Sequence, residues 1–185
     1  MTQYARPNSD GGDAEWVNHN NNTGALNSLI KEAVTDDDDY MKSTHVGWGD
    51  TQGWCMIKLA TVNDPDPDED DHKIKYRAVG TGMEPNLTVA LYLGTPETLI
   101  VSYTQTLNSE DMSGTWADYT ISLSSGQAAA IGDNYADLEI WFKRVAGMMD
   151  TGGETVKVSQ AWFECADVPE AEAATTSPAF LLFME

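Results

Sequence analysis

The chain has 185 residues, enough for one β-sandwich to bury its core without a metal or a disulfide scaffold. Thirty acidic residues against ten basic ones give a formal charge of −20, which excludes nucleic acid as a partner because phosphate contacts need clustered Lys and Arg. The longest apolar run, residues 179–184, is far shorter than the roughly 20 residues of a membrane-spanning helix, so we expect no membrane association and synthesis in a cytoplasm.

The amino-terminal part of the chain alternates short apolar segments with polar ones. Residues 1–12 are polar and glycine-rich, and they predict an extended arm. A short strand is predicted to begin at Glu15, and an acidic run occupies residues 36–39. Prolines 65 and 67 remove hydrogen-bond donors, so residues 63–71 are predicted to form a loop.

Four segments between Ile74 and Phe142 carry apolar residues at every second position. A period of two places these side chains on one face of a strand, and turn residues separate the segments at the spacing of an antiparallel sheet. The alternating positions are Leu87, Val89, Leu91 and Leu93; Leu99, Val101 and Tyr103; Tyr119, Ile121 and Leu123; and Leu138, Ile140 and Phe142.

The last third of the chain adds one helical turn and one long strand. Residues 124–131 predict a short helix that Ser124 or Ser125 caps. In the strand over residues 155–165 the apolar parity shifts, which predicts a β-bulge near Ser159 and Gln160.

These elements predict an all-β fold, an antiparallel two-sheet β-sandwich with one short helix and extended termini. The expected organisation is an arm over residues 1–12, a sandwich domain over 13–168, and a linker with an apolar docking tail over 169–185. Cys55 and Cys165 lie in separate apolar strands, where either a disulfide or two buried thiols would fit.

The acidic loop is the candidate metal site. Asp64, Asp66, Asp68 and Asp70 offer oxygen ligands of the kind that Ca²⁺ takes in groups of six to eight. The spacing is not that of an EF-hand, because position twelve would be Lys75, and a solvated acidic loop is the favoured interpretation.

No catalytic motif is recognisable. The three histidines have no HExxH spacing, and no GxSxG sequence is present. The sequence therefore predicts a protein that is not an enzyme.

Two of the six tryptophans are candidates for sugar binding. Trp48 lies between two glycines in a predicted loop, and Trp141 lies between Ile140 and Phe142, so it should face away from the core and be exposed. An exposed aromatic ring can stack on the apolar face of a sugar, whereas the alternative role of tryptophan is to fill a core or a subunit contact.

The carboxyl-terminal segment Phe180, Leu181, Leu182 and Phe183 is apolar and follows a linker. Burial of each of these side chains would contribute about 1.5–3 kcal/mol. Two outcomes fit: the segment returns as an edge strand of its own domain, or it docks on a neighbouring subunit.

The chain resembles a domain of tailed bacteriophage and prophage virion proteins. The resemblance covers residues 6 to about 165 and departs from the pattern in the acidic insert after Pro65 and in the tail. The segments that carry it are residues 6–10, Trp16, residues 26–32, 38–40, 64–65, 72–77, 87–94, 119–124 and 131–138.

This resemblance implies a jelly-roll-like capsid decoration (cement) protein located on the virion. Such a protein would bind the major capsid protein on the outer surface of the head and bridge capsomers as a homo-oligomer, with a trimer favoured. Tyr4 and Arg6 would then be contacts to the capsid. The alternative is a glycan-binding module on a tail or fibre, used in host attachment.

Overall fold

The computed structural model describes residues 2–13, 15–44, 53–63, 71–83, 85–94, 97–145 and 155–166. The eleven strands in these ranges form two antiparallel sheets that pack face to face, as the alternating pattern predicts. Sheet A contains β1 (Thr2–Ala5), β3 (Trp16–Asn18), β4 (Met41–Ser43), β6 (Lys73–Gly80), β9 (Ala117–Ser122) and β11 (Val156–Ala166). Sheet B contains β2 (Pro7–Asp13), β5 (Cys55–Leu59), β7 (Asn86–Leu93), β8 (Thr98–Thr106) and β10 (Leu138–Val145).

Each sheet has a long strand near its centre. Sheet A has the order β3–β4–β11–β6–β9, and β1 pairs with the far end of β11. Sheet B has the order β2–β5–β10–β7–β8. The core lies between the sheets and contains side chains that the alternating pattern places on one face. Leu87, Val89 and Ile140, for example, are fully buried.

The two features predicted for the last third of the chain are present. Helix α2 (Ser125–Ala129) begins at Ser124, whose hydroxyl accepts from the Gln127 N–H while the Gln127 side chain accepts from the Ser124 N–H. The register between β11 and β6 shifts between Val158 and Gln160, which is the predicted bulge.

Three features differ from the sequence interpretation or add to it. Residues 2–13 are extended but do not form the arm predicted for residues 1–12, because β1 pairs with β11 and β2 pairs with β5. A second short helix, α1 (Asn27–Ile30), accompanies α2, and the Asp10 carboxylate accepts from the N–H groups of Leu26 and Asn27 at its start. The described residues also form two 3₁₀ turns, Glu110–Met112 and Tyr135–Asp137.

Cys55 and Cys165 are buried thiols on β5 and β11, which belong to different sheets. Of the alternatives left open by the sequence, the structure therefore has the thiols. No helix in the described ranges has the length and apolarity needed to cross a membrane.

Candidate functional site

Three aromatic side chains form a continuous row on the outer face of sheet B. Trp54 immediately precedes β5, Trp141 lies on β10 and Tyr92 lies on β7, and these strands are neighbours in the sheet. The Tyr92 and Trp141 rings are stacked with their centroids 4.1 Å apart. The Trp54 and Trp141 rings are tilted at 59° with centroids 5.8 Å apart. We call these three residues the aromatic row.

Trp141, predicted to be exposed, faces outward but is only 7% exposed. The prediction of exposure was therefore wrong, although the predicted face was right. Alternation along a strand fixes which side of the sheet a residue occupies, but the rings of Tyr92 and Trp54 on the adjacent strands cover it.

A buried carboxylate holds Trp141 in place. The indole Nε1–H donates to Glu139 Oε2 over 2.8 Å, and Glu139 is 8% exposed. Lys58 Nζ lies 3.7 Å from the other oxygen, Oε1, of the same carboxylate. A recess of about 50 Å³ opens beside Lys58 and Glu139, so polar groups that can bind hydroxyls lie beside Trp141, the middle ring of the row.

The Trp54 end of the row carries a cation. Lys143 Nζ lies 5.5 Å from the centroid of the Trp54 ring. The aromatic row is therefore flanked by one charged group at Trp54 and by an ion pair beside Trp141.

The strands beyond the row carry neutral polar side chains. Neither β7 nor β8 contains Asp, Glu, Lys or Arg. The Thr88 and Thr104 hydroxyls are 2.7 Å apart, and the Thr106 hydroxyl donates to Asn86 Oδ1 over 2.7 Å. We call Asn86, Thr88, Thr104 and Thr106 the hydroxyl strip. It places hydrogen-bonding groups without net charge on the same outer face as the rings, and Thr88 lies opposite Lys143 of β10.

The outer face of sheet A has a different cover, formed by residues 31–40, which we call the clasp. Arg77 on β6 donates from Nε and Nη2 to the two carboxylate oxygens of Asp37, each over 2.8 Å. This bidentate bond to Arg77 lowers the pKa of Asp37 below its usual value, despite partial burial, and the Ser159 hydroxyl donates to the same carboxylate. The interaction in turn raises the pKa of Arg77.

Two further side chains hold the clasp through the Glu32 carbonyl. Gln160 Nε2 donates to it over 2.8 Å, and Arg6 Nη1 donates to it over 2.7 Å. The Arg6 guanidinium also lies 5.7 Å from the centroid of the Trp162 ring. Arg6 Nη1 thus donates inside the domain, whereas the neighbouring Tyr4 is 52% exposed. The predicted capsid contact of these two residues stays a prediction.

Several predicted site residues lie outside the described residues. They are Trp48, Asp64, Asp66, Asp68, Asp70, Phe180, Leu181, Leu182 and Phe183. In the part of the chain that the structure describes, no group of three or more His, Cys, Asp or Glu side chains converges as metal ligands would. The calcium and tail-docking hypotheses stay predictions.

Trp54 and Tyr92 are functional candidates that the sequence interpretation missed. The rule that placed Trp141 on the outer face also applies to Tyr92, which lies between the core positions Leu91 and Leu93. It applies equally to Trp54, which precedes the core residue Cys55. What the pattern lacked was the order of the strands, which brings the three rings together.

No protein-family model matches the chain, and no curated protein sequence matches it either. Among solved structures, the chain is similar to the C-terminal CBM6 of LamC, a marine laminarinase from Zobellia galactanivorans. The TM-score is 0.44 and the identity 10%, over 89% of this chain and 98% of that one.

A second similar structure is CBM28, a carbohydrate-binding module specific for non-crystalline cellulose, with a TM-score of 0.43 and 11% identity over 85% of this chain and 95% of that one. A third is the enzymatically active domain of tailspike protein 4 from bacteriophage CBA120, with a TM-score of 0.42 and 9% identity. That match covers 88% of this chain but 19% of the tailspike domain. Similarities of this size say nothing about the ligand of this chain.

Proposed function

We propose that this protein is a non-catalytic carbohydrate-binding module whose ligand lies on the outer face of sheet B. The observation that carries the proposal is the aromatic row, which joins Trp54, Trp141 and Tyr92 across three adjacent strands. Aromatic rings bind the apolar faces of sugars, while polar groups at their rim bind sugar hydroxyls.

The three rings have different roles in this proposal. Trp54 and Tyr92 are half-buried and therefore accessible to a ligand, whereas Trp141 is buried between them. Trp141 is thus a positioning residue that keeps the other two rings in place, with Glu139 fixing its indole.

The net charge of the chain favours a neutral glycan over an acidic one. The hydroxyl strip offers hydroxyl and amide groups but no charge, and the whole chain carries −20. A polyanionic glycan would be repelled by this net charge at low ionic strength, whereas a neutral one would not.

The test is a glycan array that holds neutral and acidic polysaccharides, followed by calorimetry with the best ligand. We expect binding to neutral glycans that is lost in Trp54→Ala and strongly weakened in Tyr92→Ala. The matched control is Trp162→Ala, a half-buried tryptophan on the outer face of sheet A, which should bind as the wild type does. Binding that survives Trp54→Ala and Tyr92→Ala together, or no binding at all by the wild type, would refute the proposal.

The capsid-decoration hypothesis makes a different prediction. A decoration protein would label phage heads evenly in immunogold microscopy and would need none of the three rings. That hypothesis stays a prediction of the sequence resemblance, and no contact among the described residues favours it over glycan binding.

A further inference from the structure

The strand edges of the two sheets differ in how they are protected against pairing with other chains. Natural proteins protect an edge with short strands, prolines, bulges or charges. In sheet A, β1 and β3 have four and three residues, and β9 carries the exposed Asp118. In sheet B, the edge strand β2 begins with Pro7, carries Asp10 and has two register shifts against β5.

The opposite edge of sheet B, strand β8, is the exception. It has nine residues, none of them charged and none of them proline, and six of the nine are exposed. Leu99 and Tyr103 are 50% and 53% exposed. Its one register shift lies at the Leu99–Val101 end, so residues 101–106 run regularly alongside β7.

We propose that β8 pairs antiparallel with β8 of a second copy of this chain and so forms a two-fold symmetric dimer. The distribution of charge is the reason for choosing a second copy as the partner of β8. A chain with a net charge of −20 repels its own copies, and they can approach closely only where carboxylates are missing. Strands β7 and β8 provide such a region, because neither the eight residues of β7 nor the nine residues of β8 include a charged one.

The sequence of β8 also allows two copies of the strand to pair with each other. A two-fold axis perpendicular to the sheet gives an isologous contact in which residues of the same face lie opposite each other. If the axis passes at residue 103, the outward-facing Ser102 and Thr104 of one copy lie opposite Thr104 and Ser102 of the other. All of these contacts are neutral, and none of them places like charges together.

The experiment is sedimentation velocity on the full chain. The wild type should sediment as a dimer that tightens when the salt concentration rises, because salt screens the repulsion between acidic copies. A chain that stays monomeric at every concentration and salt level measured would overturn the proposal without any variant.

Charge-swapped variants test the register. Ser102→Lys/Thr104→Lys and Ser102→Glu/Thr104→Glu should each lose the dimer, because like charges then face each other across the axis. An equimolar mixture of the two variants should regain it. Dimers in either variant alone, or no recovery in the mixture when both variants show wild-type thermal unfolding, would overturn the proposal.

Two controls separate this edge from other contacts. Asn8→Lys/Ser9→Lys places the same charges at exposed positions of β2, the opposite edge of sheet B, and should leave the dimer intact. Deletion of residues 178–185 should also leave it intact. Loss of the dimer on that deletion would show that the carboxyl-terminal tail makes the contact, and would overturn pairing through β8.

Discussion

The central strands of the two sheets are covered on their outer faces in different ways. On sheet A the chain itself provides the cover, and the clasp is held by charged and hydrogen-bonded contacts such as Arg77 with Asp37. On sheet B the side chains cover one another, since Tyr92 and Trp54 enclose Trp141. A face closed by polar contacts has its donors and acceptors already used, whereas an aromatic face keeps rings and hydroxyls available for a ligand.

The largest expected effect is on sheet B. Trp141→Ala should lower the free energy of unfolding by about 3–5 kcal/mol, because it removes a buried ring between two others and leaves a cavity. Urea unfolding followed by circular dichroism would measure the loss. Trp162→Ala on sheet A should cost clearly less, because that ring is half-buried. Equal losses would show that the two faces do not differ in this way.

The next effect is on sheet A. Arg77→Gln should lower the free energy of unfolding by about 1–2 kcal/mol, because two charge-assisted bonds to Asp37 are lost while solvent partly compensates. The same urea titration at neutral pH measures it. A loss below the experimental error would mean that the clasp is held by the Glu32 carbonyl contacts instead.

The same pair should give sheet A a dependence on pH. The pKa of Asp37 is lowered in the folded chain, so its contribution is complete above the unfolded pKa and disappears as the pH falls through the folded pKa. The stability difference between wild type and Arg77→Gln should therefore be constant from about pH 7 to 5 and shrink below about pH 4. A difference that stays constant to pH 2 would contradict this assignment.

The smallest effect concerns the ion pair of sheet B. Lys58→Ala should change the free energy of unfolding by no more than about 0.5 kcal/mol, because the Lys58 side chain is 56% exposed and lies 3.7 Å from Glu139. Differential scanning calorimetry would detect a larger change. A larger change would show that the ion pair of Lys58 with Glu139 contributes substantially to the stability of sheet B.

Local patterns predicted the strands of the core and the faces of β7, β9 and β10. In β8 the predicted face was wrong for Leu99, because the register shift against β7 places it opposite the outward-facing Tyr92. Parity located the bulge at residues 159–160, and the Ser124 and Gln127 pair marked the start of α2. These features depend on residues that are close in sequence, so the local amino-acid pattern is sufficient to predict them.

The features that were not predicted depend on which strands are neighbours. Residues 2–13 are polar and join the sheets through backbone pairing, which leaves little hydrophobic pattern to recognise. The burial of Trp141 requires Trp54 and Tyr92 from other strands, and the clasp requires Asp37 to meet Arg77 across 40 positions of sequence. Alternation gives no information about such distant pairs.

The pairing of β1 with β11 has a consequence for how the chain is made. Thr2 lies opposite Ala166, so the first strand has no partner until the last one has been synthesised. Sheet A is therefore completed only after β11 has been synthesised, and the many contacts between distant parts of the chain are of the kind associated with slow folding of all-β proteins. Until then, β1 lacks the neighbouring strand that pairs with it in the folded domain.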